Sequence, residues 1–219
     1  MEGMSVLILG ASGLTGSYLL SELLELNEIQ SVTALVRSPL GRDHPKLTVV
    51  QADLFDLESV EDRFQVDVVY CCIGTTAAKT PDKTIYRKID MGITVEAARL
   101  ASKHGVKQFM VISSMGANPN SKVFYNRLKG EMEEAVLALD IPKIHILRPS
   151  LIGGDRLEKR RGEKLALRLM KTFKAVVPAN YRIIHPRTIA HAMIKLTLNP
   201  VDKTIFLSTE IKELSQDES

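Results

Sequence analysis

Tyr125 and Lys129 stand four residues apart in the run Phe124-Tyr125-Asn126-Arg127-Leu128-Lys129. On a helix that spacing puts both side chains on one face. An ammonium beside a phenol favours the phenolate and lowers the phenol's pKa from about 10. Such a pair can give or take a proton at a carbonyl or alcohol oxygen while hydride moves to or from a nicotinamide. Ser113 and Ser114, just upstream, are each able to hold the same oxygen. The candidates for chemistry are therefore Tyr125, Lys129, Ser113 and Ser114.

A hydride reaction needs a dinucleotide, and Gly10-Ala11-Ser12-Gly13-Leu14-Thr15-Gly16 offers a place for one. The stretch follows the apolar run Ser5-Val6-Leu7-Ile8-Leu9 and precedes Ser17 to Leu24, which reads as a helix. Strand, glycine turn and helix is the setting in which a Gly-rich motif means dinucleotide, although the spacing here is GxxGxxG rather than GxGxxG. Gly10 allows the sharp turn, Gly13 lets a pyrophosphate approach the backbone, and Gly16 lets the helix lie close to the sheet. The helix start then offers unpaired N–H groups and a positive dipole end to phosphate.

Other residues sit where the rest of a dinucleotide would pass. Arg37 ends the second strand, about twenty residues past the last glycine, where an acidic residue would hold the ribose of NAD. Arginine suits the 2′-phosphate of NADP, with Arg42 and Lys46 in reserve, so NADP is favoured and NAD allowed. Asp53, followed by Leu54, stands after the third strand, where its carboxylate could accept from the adenine amino group or simply make a turn. Asp56 fits a helix cap. Gly74 follows the fourth strand and allows the backbone to approach ribose and phosphates. The adjacent Cys71 and Cys72 read as small buried hydrophobes.

The elements that position these residues alternate. The first strand, turn and helix occupy about residues 4–27, and further strands cover 32–36, 47–50, 66–73, 108–112 and 143–147. Helices are expected from Pro81 to His104, with Ile85, Ile89, Ile93, Ala97 and Leu100 as the apolar stripe, and over 122–139. This pattern predicts an α/β doubly wound parallel sheet with its ligand crevice at the carboxyl ends of the strands. Residues 1–150 form the Rossmann domain and 151–219 a small C-terminal substrate or lid region packed on it as a single unit. That region holds a Gly153-Gly154-Asp155 loop, a basic run from Arg156 to Arg161, an amphipathic helix over 162–174, a short strand at Tyr181–Ile184, a helix from Pro186 to Leu198, a strand at Thr204–Leu207 and a polar tail from Glu213.

Composition narrows the class. The chain has 219 residues, 45% hydrophobic and 25% charged, as ordinary globular chains do. A net charge of +3 is too weak to argue for nucleic acid. No apolar run reaches the length of a membrane span, and the first strand starts too early for a signal peptide. Two adjacent cysteines make no disulfide framework, and no CxxC or histidine cluster has metal spacing; His185 and His191 read as structural. A reducing cytoplasm is the default location. A homodimer is compatible with the chain.

With these residues in hand, the sequence resembles the atypical short-chain dehydrogenase/reductase family, and within it the Tat-interacting oxidoreductase-like group and its bacterial relatives. The stretches that carry the resemblance are Gly10–Gly16, Cys72-Ile73-Gly74-Thr75-Thr76, Ser113-Ser114-Met115-Gly116-Ala117, Phe124–Glu131, Arg148-Pro149-Ser150 and Arg161-Gly162-Glu163, which span nearly the whole chain. The resemblance implies that Gly10, Ser12, Gly13, Leu14 and Thr15 line the pyrophosphate and that Arg37 takes the 2′-phosphate. It further implies that Cys72, Ile73 and Gly74 pass the adenosine half and that Pro149 packs on the nicotinamide. Lys129 would bond the nicotinamide ribose, with Tyr125 as acid/base. The step from Ser114 to Tyr125 is shorter than usual in the family, which leaves the choice of serine open.

Two functions follow as expectations. The first is an NADP(H)-dependent oxidoreductase acting on a small carbonyl or alcohol, whose identity the chain does not spell out. The alternative is an NADP(H)-binding regulatory or protein-interaction protein without turnover. An epimerase or dehydratase holding NAD is disfavoured by Arg37.

Overall fold

In this computed structural model, residues 3–153 and 182–216 are described. The apolar runs become strands because a central parallel strand is buried on both faces. In β1 (Met4–Leu9), Val6, Leu7, Ile8 and Leu9 are all fully buried. Around it stand β2 (Ile29–Val36), β3 (Leu47–Gln51), β4 (Val68–Cys71), β5 (Gln108–Ile112), β6 (Lys143–Arg148) and β7 (Ile205–Leu207). All pair in parallel, in the order β3-β2-β1-β4-β5-β6-β7. The order reverses between β1 and β4, the switch point at whose carboxyl ends ligands bind in open α/β sheets.

Alternate side chains of each strand feed two apolar layers. Val6 and Ile8 pack with Leu19, Leu20, Leu23 and Leu24 of α1 (Leu14–Glu25), and with Ile189 and Met193 of α5 (Pro186–Leu198). Leu7 and Leu9 point the other way. They share a layer with Ala97 and Leu100 of α3 (Ile93–Lys103), Met132 and Val136 of α4 (Phe124–Leu137), and Phe64 of a 3-10 helix over Leu57–Phe64. The last elements, β7 and α6 (Ser208–Leu214), close the sheet edge beside β6.

The doubly wound parallel sheet is as expected; several local details differ. The helix expected over 81–104 starts at Asp82, whose carboxylate accepts from Thr84 and Ile85 N–H. It consists of α2 (Lys83–Arg87), a π turn over Lys88–Gly92, and α3. The wider turn re-aims the helix face, so Tyr86 and Asp90 are buried while Ile85 is 48% exposed. Asp56 precedes the 3-10 helix without a side-chain cap bond. Ile184 forms an isolated bridge to Ile152 rather than a strand, and the expected tail is helical through Leu214. The 154–155 part of the glycine loop, the basic run, the helix over 162–174, Tyr181 and residues 217–219 lie outside the described residues. Among the described residues, no helix is long and apolar enough to cross a membrane, and no cluster of metal-binding side chains occurs.

Candidate cofactor and active site

At the carboxyl end of β1 the chain turns so tightly that side chains are excluded. Gly10 has φ +87°, and a Cβ there would lie 2.8 Å from the Cys72 carbonyl. Gly13 N–H donates to the Gly10 carbonyl at 2.8 Å. A Cβ on Gly16 would stand only 2.1 Å from that same oxygen, so α1 begins directly against the turn. No side chain caps α1, and no carboxylate lies in its first turn. A glycine cradle leading into an uncapped helix start at the sheet's switch point fits a dinucleotide pyrophosphate, with Ser12, Leu14 and Thr15 around it.

Along the rim, Arg37 follows β2 and is exposed; its carbonyl accepts from Gln51 Nε2 at 3.1 Å. Arg42 donates to Ser21 Oγ at 2.7 Å, and Lys46 reaches the Leu26 carbonyl at the end of α1 at 2.6 Å. Both reserve cations are thus engaged on α1. Asp53 accepts from Phe55 N–H at 2.9 Å, an Asx turn, and Leu54 beside it is buried. Burial pushes the thiols of both Cys71 and Cys72 up, and Cys71 donates to Thr94 Oγ1. They are poor nucleophiles at neutral pH.

The two serines part company at the end of β5. Ser113 donates its hydroxyl to Glu133 of α4, and Glu133 is also gripped by Arg148, whose Nε lies 3.0 and 3.2 Å from the two carboxylate oxygens. The Ser114 hydroxyl is buried and has no hydrogen-bond partner among the described residues. Pro149, just beyond β6, accepts through its carbonyl from Met115 N–H at 3.1 Å, which ties the two strand ends together.

Lys129 is almost wholly buried. Its ammonium lies 3.2 Å from Asp90 Oδ1 and 3.4 Å from the Ile112 carbonyl at the end of β5. Burial pushes the ammonium down, but the Asp90 charge, then Tyr125, outweigh that, and Lys129 is held above its usual value. Tyr125 sits one turn earlier, 37% exposed, with its ring edge-on to Tyr86 at 6.3 Å between centroids. The ammonium's bonded partners are therefore Asp90 and a backbone carbonyl.

Sequence alone does not single out Asp90, Tyr86 or Glu133, and Arg148 enters there only within the Arg148-Pro149-Ser150 stretch. Asp90 Oδ2 accepts from Thr75 N–H at 2.7 Å, and Tyr86 donates to the Thr75 carbonyl at 3.2 Å. A signal existed: Tyr86 and Asp90 are four apart within an isoleucine-marked helix, where a buried carboxylate demands a partner. His185 caps α5, and His191 meets Glu22 of α1 at 2.8 Å.

A seven-stranded parallel sheet in this order, with a glycine turn and an open helix start at its switch point, defines an NAD(P)-binding Rossmann protein. The family model described as NAD(P)H-binding matches residues 10–148, and the chain belongs to that family. The rat protein HTATIP2 is 33% identical over 204 residues, covering 91% of this chain and 84% of its own. This bears out the resemblance to the Tat-interacting oxidoreductase-like group. FMP52 of Debaryomyces hansenii is 36% identical over 162 residues, covering 73% of this chain and 71% of its own. Among solved structures, the Bordetella bronchiseptica enzyme WbmG in complex with NAD superposes with a TM-score of 0.71 at 21% identity, covering 97% of this chain and 76% of that one. The expectation of a cytoplasmic location is corrected by these relatives: the FMP52 proteins of Debaryomyces hansenii and Candida albicans are named mitochondrial. Location is an address read by a receptor, and the reducing-compartment argument from two cysteines does not specify which compartment.

Proposed function

We propose that the protein is an NADP(H)-dependent oxidoreductase that moves hydride to or from a small carbonyl or alcohol. The observation that carries this reading is the buried, unpartnered Ser114 hydroxyl at the end of β5, the strand whose last carbonyl receives Lys129 of the Tyr125–Lys129 helix. A buried hydroxyl with no partner is costly, and a substrate oxygen would satisfy it. When bound, the nicotinamide supplies or accepts the hydride.

The chain's own residues do the rest. Ser114 donates to the substrate oxygen and fixes its place. Tyr125 donates its phenolic proton to that oxygen in reduction and takes it back in oxidation. Lys129, buried and cationic, bonds the ribose. Gly10, Ser12, Gly13, Leu14 and Thr15 receive the pyrophosphate, and Cys72, Ile73 and Gly74 border the adenosine half with Asp53 and Leu54. Arg37 meets the 2′-phosphate, and Pro149 packs on the nicotinamide.

Calorimetric titration with NADPH and NADH, beside an Arg37→Ala variant, tests the reading. NADPH binding tighter than NADH, with the difference lost in the variant, is expected. Binding of neither overturns it. A carbonyl screen with wild type and Tyr125→Phe follows, and turnover that survives the substitution removes Tyr125 from its role.

A further inference from the structure

Asp90 lies where two parts of the site meet. Its Oδ1 is 3.2 Å from the Lys129 ammonium, and its Oδ2 accepts from Thr75 N–H at 2.7 Å. Tyr86, one turn earlier, donates to the carbonyl of the same Thr75. Both backbone polar groups of Thr75 are therefore held from one helical run. Gly74 runs close over the carboxylate: a Cβ there would lie 3.7 Å from Asp90 Oδ1. The π turn at Lys88–Gly92 aims Asp90 inward, where it is 1% exposed, and π turns are concentrated at functional sites. A buried ion pair is weak evidence for stability, since desolvation offsets its attraction; its retention is better explained by the positions it specifies.

We propose that Asp90 is a positioning residue: a single carboxylate that locks the Gly74–Thr75 backbone to the Lys129 ammonium, so that the cofactor's seat and the charge beside Tyr125 are set together. This rests on the reading above, in which the cofactor lies against Gly74 and Tyr125 is the acid/base.

The titratable groups that act on Lys129 are Asp90 from the π turn, Tyr125 on its own helix and Cys71 from β4. Cys71 is itself pushed up by burial. Without the Asp90 charge, burial drives the Lys129 ammonium toward the neutral amine. Asparagine at this place keeps the shape but removes the charge.

The experiment compares full-length wild type, Asp90→Asn and Tyr86→Phe in two measurements. The first follows lysine titration by NMR in cofactor-free protein carrying 13C-lysine, with Lys129 assigned by Lys129→Arg. The second is calorimetric NADPH affinity. In Asp90→Asn, Lys129 is expected to titrate lower by about one pH unit or more, and NADPH binding to weaken about tenfold. Tyr86→Phe frees only the Thr75 carbonyl, so NADPH binding is expected to weaken about threefold, the effect of one ordinary hydrogen bond, while Lys129 does not move.

Unchanged Lys129 titration or unchanged NADPH affinity in Asp90→Asn overturns the proposal. So does a Tyr86→Phe variant that moves Lys129, or one that binds NADPH like wild type; this holds even if Asp90→Asn does not fold. Wild type that binds neither NADPH nor NADH overturns the functional reading and the cofactor half of this proposal, while the Lys129 titration still decides whether Asp90 sets the ammonium.

Discussion

Arg148 grips the Glu133 carboxylate through Nε and Nη2, with Glu133 almost wholly buried. The pair joins the end of β6 to the middle of α4, and Ser113 donates to the same carboxylate from β5. Three elements that carry the site are thus clasped at one charge.

Arg148→Ala leaves that charge buried without its partner. The expected cost is about 3–5 kcal/mol of unfolding free energy, read by urea denaturation. Replacing both members, Glu133→Leu with Arg148→Met, is expected to lie nearer to wild type, because two apolar groups of similar volume carry no desolvation penalty. A double variant as unstable as Arg148→Ala would show that the clasp's geometry, not the stranded charge, dominates.

The serines predict opposite outcomes. Ser113→Ala removes a donor to a buried carboxylate and is expected to cost about 1–2 kcal/mol of stability, with NADPH binding kept. Ser114→Ala removes a hydroxyl that has no partner, so thermal stability is expected to hold or rise slightly. On a substrate found by the carbonyl screen, its turnover number is expected to fall about a hundredfold. Equal loss of turnover in both variants would sink the assignment of Ser114 to the substrate oxygen.

Gly130→Ala reverses a general rule. In an open helix, alanine gains about 1 kcal/mol over glycine. Here a Cβ would stand 2.2 Å from Pro119 N and 2.3 Å from the Asn118 carbonyl carbon, both backbone atoms of the loop that crosses α4. The loop must move, and a net loss of about 1–3 kcal/mol is expected by differential scanning calorimetry. A raised melting temperature would show that the loop gives way freely.

Acid stability tracks Asp67 at the opposite end of the sheet. Burial pushes its carboxyl up, but the Lys107 ammonium and the Ser5 N–H and hydroxyl outweigh this and hold it below the usual range. A carboxyl depressed in the folded state stabilises the fold fully above its unfolded value of about 3.9, and that contribution is lost as pH falls through the folded value. Asp67→Asn is therefore expected to be less stable than wild type at pH 7, with the gap closing below about pH 4. A gap that stays constant down to the acid limit would contradict the sign.

Much of the fold was legible because its rules are local. The glycines of Gly10–Gly16 act within one turn. The apolar runs at β1, β4 and β5 mark strands buried on both faces, whatever surrounds them. Their alternation with helices suffices for a doubly wound sheet, and the one stretch in seven residues suffices for a dinucleotide as partner.

Only the tertiary structure separated Ser113 from Ser114, since the two are chemically identical and differ only in what each hydroxyl meets: Glu133 for one, no partner among the described residues for the other. It likewise gave Lys129 a carboxylate partner in Asp90, because a π turn moves a helix face in a way that a regular 3.6-residue pattern does not encode. Periodicity tells which residues are buried; which buried charges meet depends on residues far apart in the chain, brought together only when the layers pack.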